Sequence, residues 1–152
     1  NSGVADADCN IVTGNHPGYG TYKAMIVGWG TRRACSSMNC VTSGAAENLD
    51  WVLAPNTEYR RTDAVTKVIT TNSAGVGSIV AAFIASGVTA HWTGLTTDWR
   101  TQGATGTCGG SWSTGATTGA YGRTNSAGGI ALFDALANPC SSNNARLICA
   151  QQ

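Results

Sequence analysis

Trp92-Thr93-Gly94-Leu95 stands in the middle of the chain, with Cys9, Cys35 and Cys40 before it and Cys108, Cys140 and Cys149 after it. His91 to Leu95 reads as a short strand. Around it, an even number of cysteines, no CxxC pair and only two histidines point to three disulfides rather than a metal cluster, since tetrahedral sites need close Cys or His pairs. Disulfides place the chain in an oxidising compartment and leave no odd thiol for nucleophilic chemistry.

A length of 152 residues makes one domain, residues 1–152, the expectation, with a core large enough to fold without metals. Charged residues are only 11% of the chain, well under the roughly 25% of ordinary soluble domains, so the surface is polar but nearly uncharged. A net charge of +1 provides no field to steer nucleic acid or anionic membrane. The longest apolar run, Val76 to Ala85, is broken by Gly77 and Ser78 and is shorter than the roughly 20 residues of a bilayer span, so no membrane insertion is expected. The start at Asn1, without Met or leader, predicts a removed signal peptide or an excised domain. No Asn-x-Ser/Thr acceptor occurs, which fits a bacterial source, and the expected location is secreted or on the bacterial outer surface.

Turn formers crowd residues 10 to 21, leaving room for only a short helix or turn around Ala5 to Ile11. Thr21 to Val27 reads as a strand stopped by Gly28 and Gly30, and Glu47 to Leu53 as a two-turn helix ended by Pro55. Thr57 to Arg61 and Lys67 to Thr71 read as an antiparallel ribbon. Val76 to Ile84 fits a helix or a buried strand equally. Residues 101 to 129 hold nine glycines among many Thr and Ser and are expected to form long ordered loops. Ala145 to Ala150 alternates into a final strand, and no repeat or linker divides the chain.

In this order the features resemble the C-type lectin-like fold, and within it the compact endostatin-like branch. Trp92-Thr93-Gly94-Leu95 resembles that fold's WIGL core strand, Cys108-Gly109-Gly110-Ser111-Trp112 its CxxxW step, and Cys140 to Cys149 its closing cysteine pair. Ala5-Asp6 before Cys9, Gly20-Thr21-Tyr22-Lys23-Ala24 and Arg60-Arg61-Thr62-Asp63 have endostatin-like counterparts in the same order. Over nearly its whole length the chain is also similar to secreted spirochaete-type bacterial proteins grouped as a domain of unknown function. The resemblance implies an α+β fold with mainly antiparallel strands, one or two short helices and long Gly-rich loops. It also implies the bridges Cys9 to Cys149 and Cys108 to Cys140, leaving Cys35 and Cys40 to each other. On the chain-entropy model the short bridge contributes about 2 kcal/mol and each long one roughly 3.5 to 5 kcal/mol.

Calcium-dependent lectins resembling this fold carry a Glu-Pro-Asn or Gln-Pro-Asp loop and a Trp-Asn-Asp strand, since the ion needs several oxygen ligands at one locus. Here Ala54-Pro55-Asn56 lacks the acid and precedes the Trp92 strand, so no calcium site and no cofactor are expected. Asp6 and Asp8 read as an exposed or capping pair, and His16 and His91 as packed or surface histidines. The order His91, Asp98, Ser111 invites comparison with a serine hydrolase, but no G-x-S-x-G elbow accompanies it and Cys108 is assigned to a bridge, so no catalytic residue is assigned.

Positive charge concentrates at Arg32-Arg33 and Arg60-Arg61, where Glu58 and Asp63 favour ordinary surface pairing over an anion site. Of five tryptophans, Trp51 and Trp92 are expected in the core, while Trp29, Trp99 and Trp112 have both core and exposed-contact readings. The candidate ligand contacts are thus Trp29, Arg32, Arg33, Arg60, Arg61 and Trp99, beside the motif Trp92, Thr93, Gly94, Leu95 and Trp112. The function expected is a non-enzymatic, calcium-independent extracellular or cell-surface domain that binds or adheres to a protein or glycan. The alternative is a structural subunit that assembles with copies of itself into a filament, sheath or array, which low charge and small residues permit.

Overall fold

A computed structural model describes residues 2–11, 20–85, 87, 89–113, 115, 117–141 and 145–152. It is a mixed α and β structure of small, mainly antiparallel sheets with few, short helices. The helix α1 (Ser2–Ile11) buries Ala5 and Cys9, four residues apart on one face, against β1 (Tyr22–Ala24). Asn10 fixes the pair: its Nδ2 donates to Tyr22 O at 2.7 Å and its Oδ1 accepts from Tyr22 N at 3.0 Å. β1 pairs antiparallel with the last strand, where Ala24 faces Cys149 and Tyr22 faces Gln151.

The strand expected over Thr21 to Val27 is paired in a sheet only at Tyr22–Ala24 because the chain then changes partners. Met25 N donates to Ile148 O at 2.7 Å and Val27 N to Thr93 O at 2.8 Å, which carries the segment across to the central sheet. The ribbon of β2 (Glu58–Arg60) and β3 (Lys67–Thr70) is antiparallel as expected, with a register shift between Tyr59 and Arg60. β4 (Ala90–Trp92) lies at the centre of the four-stranded sheet. β5 (Thr118–Arg123) and then β6 (Ala135–Pro139) extend the sheet antiparallel on one side of it, and β7 (Ala145–Arg146) runs parallel on the other.

Three expectations fail for identifiable reasons. Glu47 to Leu53 is not a helix: a single helical turn, Gly44–Glu47, ends where Asn48 becomes extended, and Asp50 sits at φ 45°. Leu49 instead bridges Arg33, and ion pairs to Asp50 hold the turn open. Val76 to Ile84 is neither helix nor strand. Its path is fixed piecemeal, as when Trp99 Nε1 donates to Gly77 O at 3.1 Å and Val80 N to Val68 O at 2.8 Å. Residues 101 to 129 are not all loop, since they contain β5 and the short helical turns α2 (Gly103–Gly106) and α3 (Gly129–Leu132), the latter starting inside the stretch.

The final stretch also differs: Ala145 to Ala150 divides between β7 and β8 (Cys149–Gln151), which belong to different sheets. The larger core gathers Met25, Val27, Val52, Val68, Ile69 and Leu95 with Trp99, and a smaller one joins α1 and β1 to Trp92 and Trp112. The Trp92-Thr93-Gly94-Leu95 stretch runs between them. Thr93 Oγ1 donates to Leu132 O at 2.7 Å, Leu95 is fully buried, and Trp92 meets Trp112 edge-on at 5.5 Å. Gly94 is required twice over: its φ is +68°, and an added Cβ would lie 2.8 Å from Val27 O.

Bridges join Cys9 to Cys149, Cys35 to Cys40 and Cys108 to Cys140, the pairing that the resemblance implies. The first fastens α1 to β8, and the third ties the wide turn Cys108–Trp112 to the end of β6. Among the described residues no helix is long and apolar enough to cross a membrane.

Candidate functional site

Arg32, read from the sequence as a surface cation, is 1% exposed. Its Nη1 and Nη2 donate to the two Asp6 oxygens at 2.8 and 2.6 Å, while Nε and Nη2 reach Asp50 Oδ2 at 2.9 and 2.6 Å. A further bond to Ala24 O at 3.1 Å joins α1, β1 and the Asp50 turn to one guanidinium. Burial raises both carboxyl pKa values, but Arg32 and Lys23 more than offset it, so Asp6 and Asp50 sit below the usual carboxylate range. For Arg32 burial alone would lower the pKa, and the two carboxylates raise it instead. Arg32 is therefore a structural ion, and Asp6 is its partner rather than an exposed or capping residue.

Its neighbours in sequence form a tight turn. Gly28 and Arg32 exchange backbone bonds at 3.0 and 3.2 Å, and Gly30 adopts φ +76°, so Trp29 is held at the tip with 61% of its surface exposed. The turn leans on the Cys108 turn through Trp29 N donating to Gly110 O at 2.5 Å. Buried Arg32 below and two pinned loops on either side leave the Trp29 turn little freedom.

Beside Trp29 opens a cleft of about 720 Å³ lined by Trp29, Arg33, Thr96, Arg100, Thr101 and Gln102, with Leu49 as its one large aliphatic wall. Backbone bonds fix each side: Arg33 and Leu49 exchange bonds at 2.9 and 3.0 Å, Cys35 N donates to Trp99 O at 3.2 Å, and Gln102 N to Gly94 O at 2.8 Å. Thr96 Oγ1 accepts from Arg100 N at 3.0 Å, and Thr96 N donates to Arg100 O at 2.8 Å. Gly103, at φ +75°, lies beside the indole, where an added Cβ would meet Trp29 Cζ3 in ordinary contact at 3.8 Å.

Among the described residues no Asp or Glu lines this cleft. Arg100 pairs with Asp98 through Nε at 2.9 Å and Nη2 at 2.8 Å, and that partner raises its pKa. Among the described residues the Arg33 side chain makes one hydrogen bond, Nε donating to Glu47 O at 2.9 Å, and has no carboxylate within ion-pair distance. Glu47, 3% exposed, receives the Ser36, Ser37, Thr42 and Ser43 amides and the hydroxyls of Ser36 and Ser37, which hold its carboxyl far below the usual range. That cage shapes the Cys35 to Cys40 loop at the cleft edge.

The remaining sequence candidates lie elsewhere. Trp99 is 2% exposed and packs edge-on against Trp51 at 5.9 Å, so it supports the cleft from within instead of contacting a ligand. Trp112 is half-buried, with Nε1 donating to Val27 O at 2.7 Å. Arg60 pairs with Glu58 and donates to Val65 O at 2.8 Å, and Arg61 Nε donates to Ala82 O at 2.7 Å; both serve the β2–β3 ribbon. Of the six contact candidates the structure brings Trp29 and Arg33 together. It adds Arg100, Thr101 and Gln102, which sequence reasoning missed; their position is set by the parallel bridge between Cys35 and Arg100, which no local pattern announces.

The hydrolase comparison fails on geometry. His91 is fully buried, has no hydrogen-bond partner on either ring nitrogen and stacks edge-on with Phe83 at 5.0 Å, while Asp98 is engaged by Arg100 and Thr96. Burial pushes the His91 pKa down to about 3. His16 lies outside the described residues. Among the described residues no three His, Cys, Asp or Glu side chains gather to hold a metal ion, and Asn56, in the Ala54-Pro55-Asn56 turn, leads into β2 at φ 52°.

No curated protein and no solved structure matches the chain. A family model described as Protein of unknown function (DUF1554) matches residues 2–129, and the chain belongs to that family.

Proposed function

We propose that this chain is a non-enzymatic, calcium-independent binding domain of an extracellular or cell-surface bacterial protein, recognising a glycan or protein through the Trp29 cleft. A C-type lectin-like, endostatin-like fold accounts for the chain's organisation. The nested bridges and the position of Trp92-Thr93-Gly94-Leu95 between two cores support that reading. Three disulfides suit an oxidising environment. The observation that carries the function is a large indole, exposed on a turn held from several sides and facing a cleft that contains hydroxyl, amide and guanidinium groups. A rigid aromatic on a fixed loop offers contact area at little entropic cost, which is how small numbers of residues come to dominate recognition.

A glycan and matrix-protein array tests this with the intact chain and with Trp29→Ala, each with and without EDTA. The reading predicts selective binding that EDTA leaves unchanged and Trp29→Ala reduces at least tenfold. Binding that EDTA abolishes, or that Trp29→Ala leaves intact, overturns it.

A further inference from the structure

Resting on the assignment of the Trp29 cleft as the binding site, we infer that its ligand is a carboxylate-bearing sugar, a hexuronate unit within an oligosaccharide. The aromatic component follows from Trp29, whose exposed face gives a pyranose ring an apolar surface. The lining around it is hydroxyl and amide, from Thr96, Thr101 and Gln102, with Leu49 the one large aliphatic group. That composition matches a ring edged with hydroxyls better than an acidic peptide, which needs apolar pockets for its anchors. The cleft volume of about 720 Å³ is within the roughly 300–1,000 Å³ of small-ligand sites, enough for more than one sugar ring.

The charge follows from Arg33. Asp98 neutralises Arg100, and among the described residues no Asp or Glu lines the cleft, so the Arg33 guanidinium is left uncompensated. Its Nε is committed to Glu47 O, which leaves the two Nη groups to form a planar fork. A planar fork carrying one charge complements a planar carboxylate carrying one charge. A sulfate half-ester carries the same single charge on a tetrahedral group, whose third oxygen lies outside the plane of the fork.

Isothermal titration of the intact protein with trigalacturonate tests the inference, with methyl-esterified trigalacturonate, maltotriose, dextran sulfate and a pentaglutamate peptide as comparators. The expected result is binding of trigalacturonate at least tenfold tighter than of any comparator. Arg33→Gln reduces that binding at least tenfold while leaving urea unfolding unchanged, and Trp29→Ala does likewise. Tighter binding of dextran sulfate, maltotriose or pentaglutamate overturns the uronate assignment while leaving the cleft assignment standing if Trp29→Ala abolishes it. Trigalacturonate binding that survives both substitutions overturns the cleft assignment itself. Absence of binding to trigalacturonate overturns the uronate inference, and the array with Trp29→Ala then decides the cleft separately.

Discussion

Acidification from pH 7.5 to 5.0 destabilises this protein chiefly through His91. The ring is fully buried in β4, without a hydrogen-bond partner, and its pKa falls from 6.5 to about 3. Phe83 packs on one side, the neighbouring strands place Gly122 and Arg146 beside it in register, and among the described residues no carboxylate acts on the ring to stabilise an imidazolium. Between pH 6.5 and 3 the unfolded chain binds a proton that the native chain does not, so stability rises with pH across this window and falls on acidification. At pH 5.0 the unfolded histidine is more than nine-tenths protonated and the native one neutral, a linkage of about 2 kcal/mol. The lowered carboxylates contribute little above pH 5, because their ordinary values lie near 4 and their stabilising effect is lost only below that. Urea unfolding followed by tryptophan fluorescence at both pH values measures the loss. His91→Leu keeps an apolar side chain of similar size and removes both unsatisfied nitrogens, so it should lose about 2 kcal/mol less than the parent over the same interval. Equal losses in parent and variant refute the assignment of the acid sensitivity to His91.

Further outcomes follow from the packing. Arg32→Met leaves Asp6 and Asp50 without their shared cation and should cost about 3 kcal/mol, whereas Arg60→Ala, which breaks an exposed pair with Glu58, should cost under about 1 kcal/mol in the same denaturant titration. Gly122→Ala places a Cβ 2.0 Å from Ala131 O and forces α3 off the sheet, with an expected loss of about 2–3 kcal/mol by thermal unfolding. Replacing Cys9 and Cys149 by serine should cost about 5 kcal/mol against about 2 for Cys35 and Cys40, measured under non-reducing conditions; equal losses would contradict the loop-length argument.

The parts of this fold legible in the sequence are those fixed by local pattern. The β2–β3 ribbon announces itself through β-branched residues, and each cysteine is paired, whereas the strand expected over His91 to Leu95 is Ala90–Trp92 and ends before Gly94, whose φ of +68° breaks it. What misled is long-range. Leu49, Val52 and Leu53 have helical spacing, but Arg32 takes Asp50 from eighteen positions away and opens the turn. Gly119 and Gly122 look like loop composition, yet β5 needs them: an added Cβ at Gly119 would lie 2.8 Å from Trp92 and 2.9 Å from Cys108 Sγ. Arg32 looked exposed because its partners are scattered through the chain. The same holds for the cleft: Trp29 between two glycines is a visible signal, whereas Arg100 and Gln102 reach it only through tertiary bridges.

The most direct measurement of the central claim is hydrogen exchange of the intact protein with and without the strongest ligand from the array. The account predicts slowed exchange confined to residues 28–36 and 96–103 and to Leu49, which together wall the cleft. Protection centred on the β2–β3 ribbon, or spread over the whole surface as in self-assembly, would contradict it.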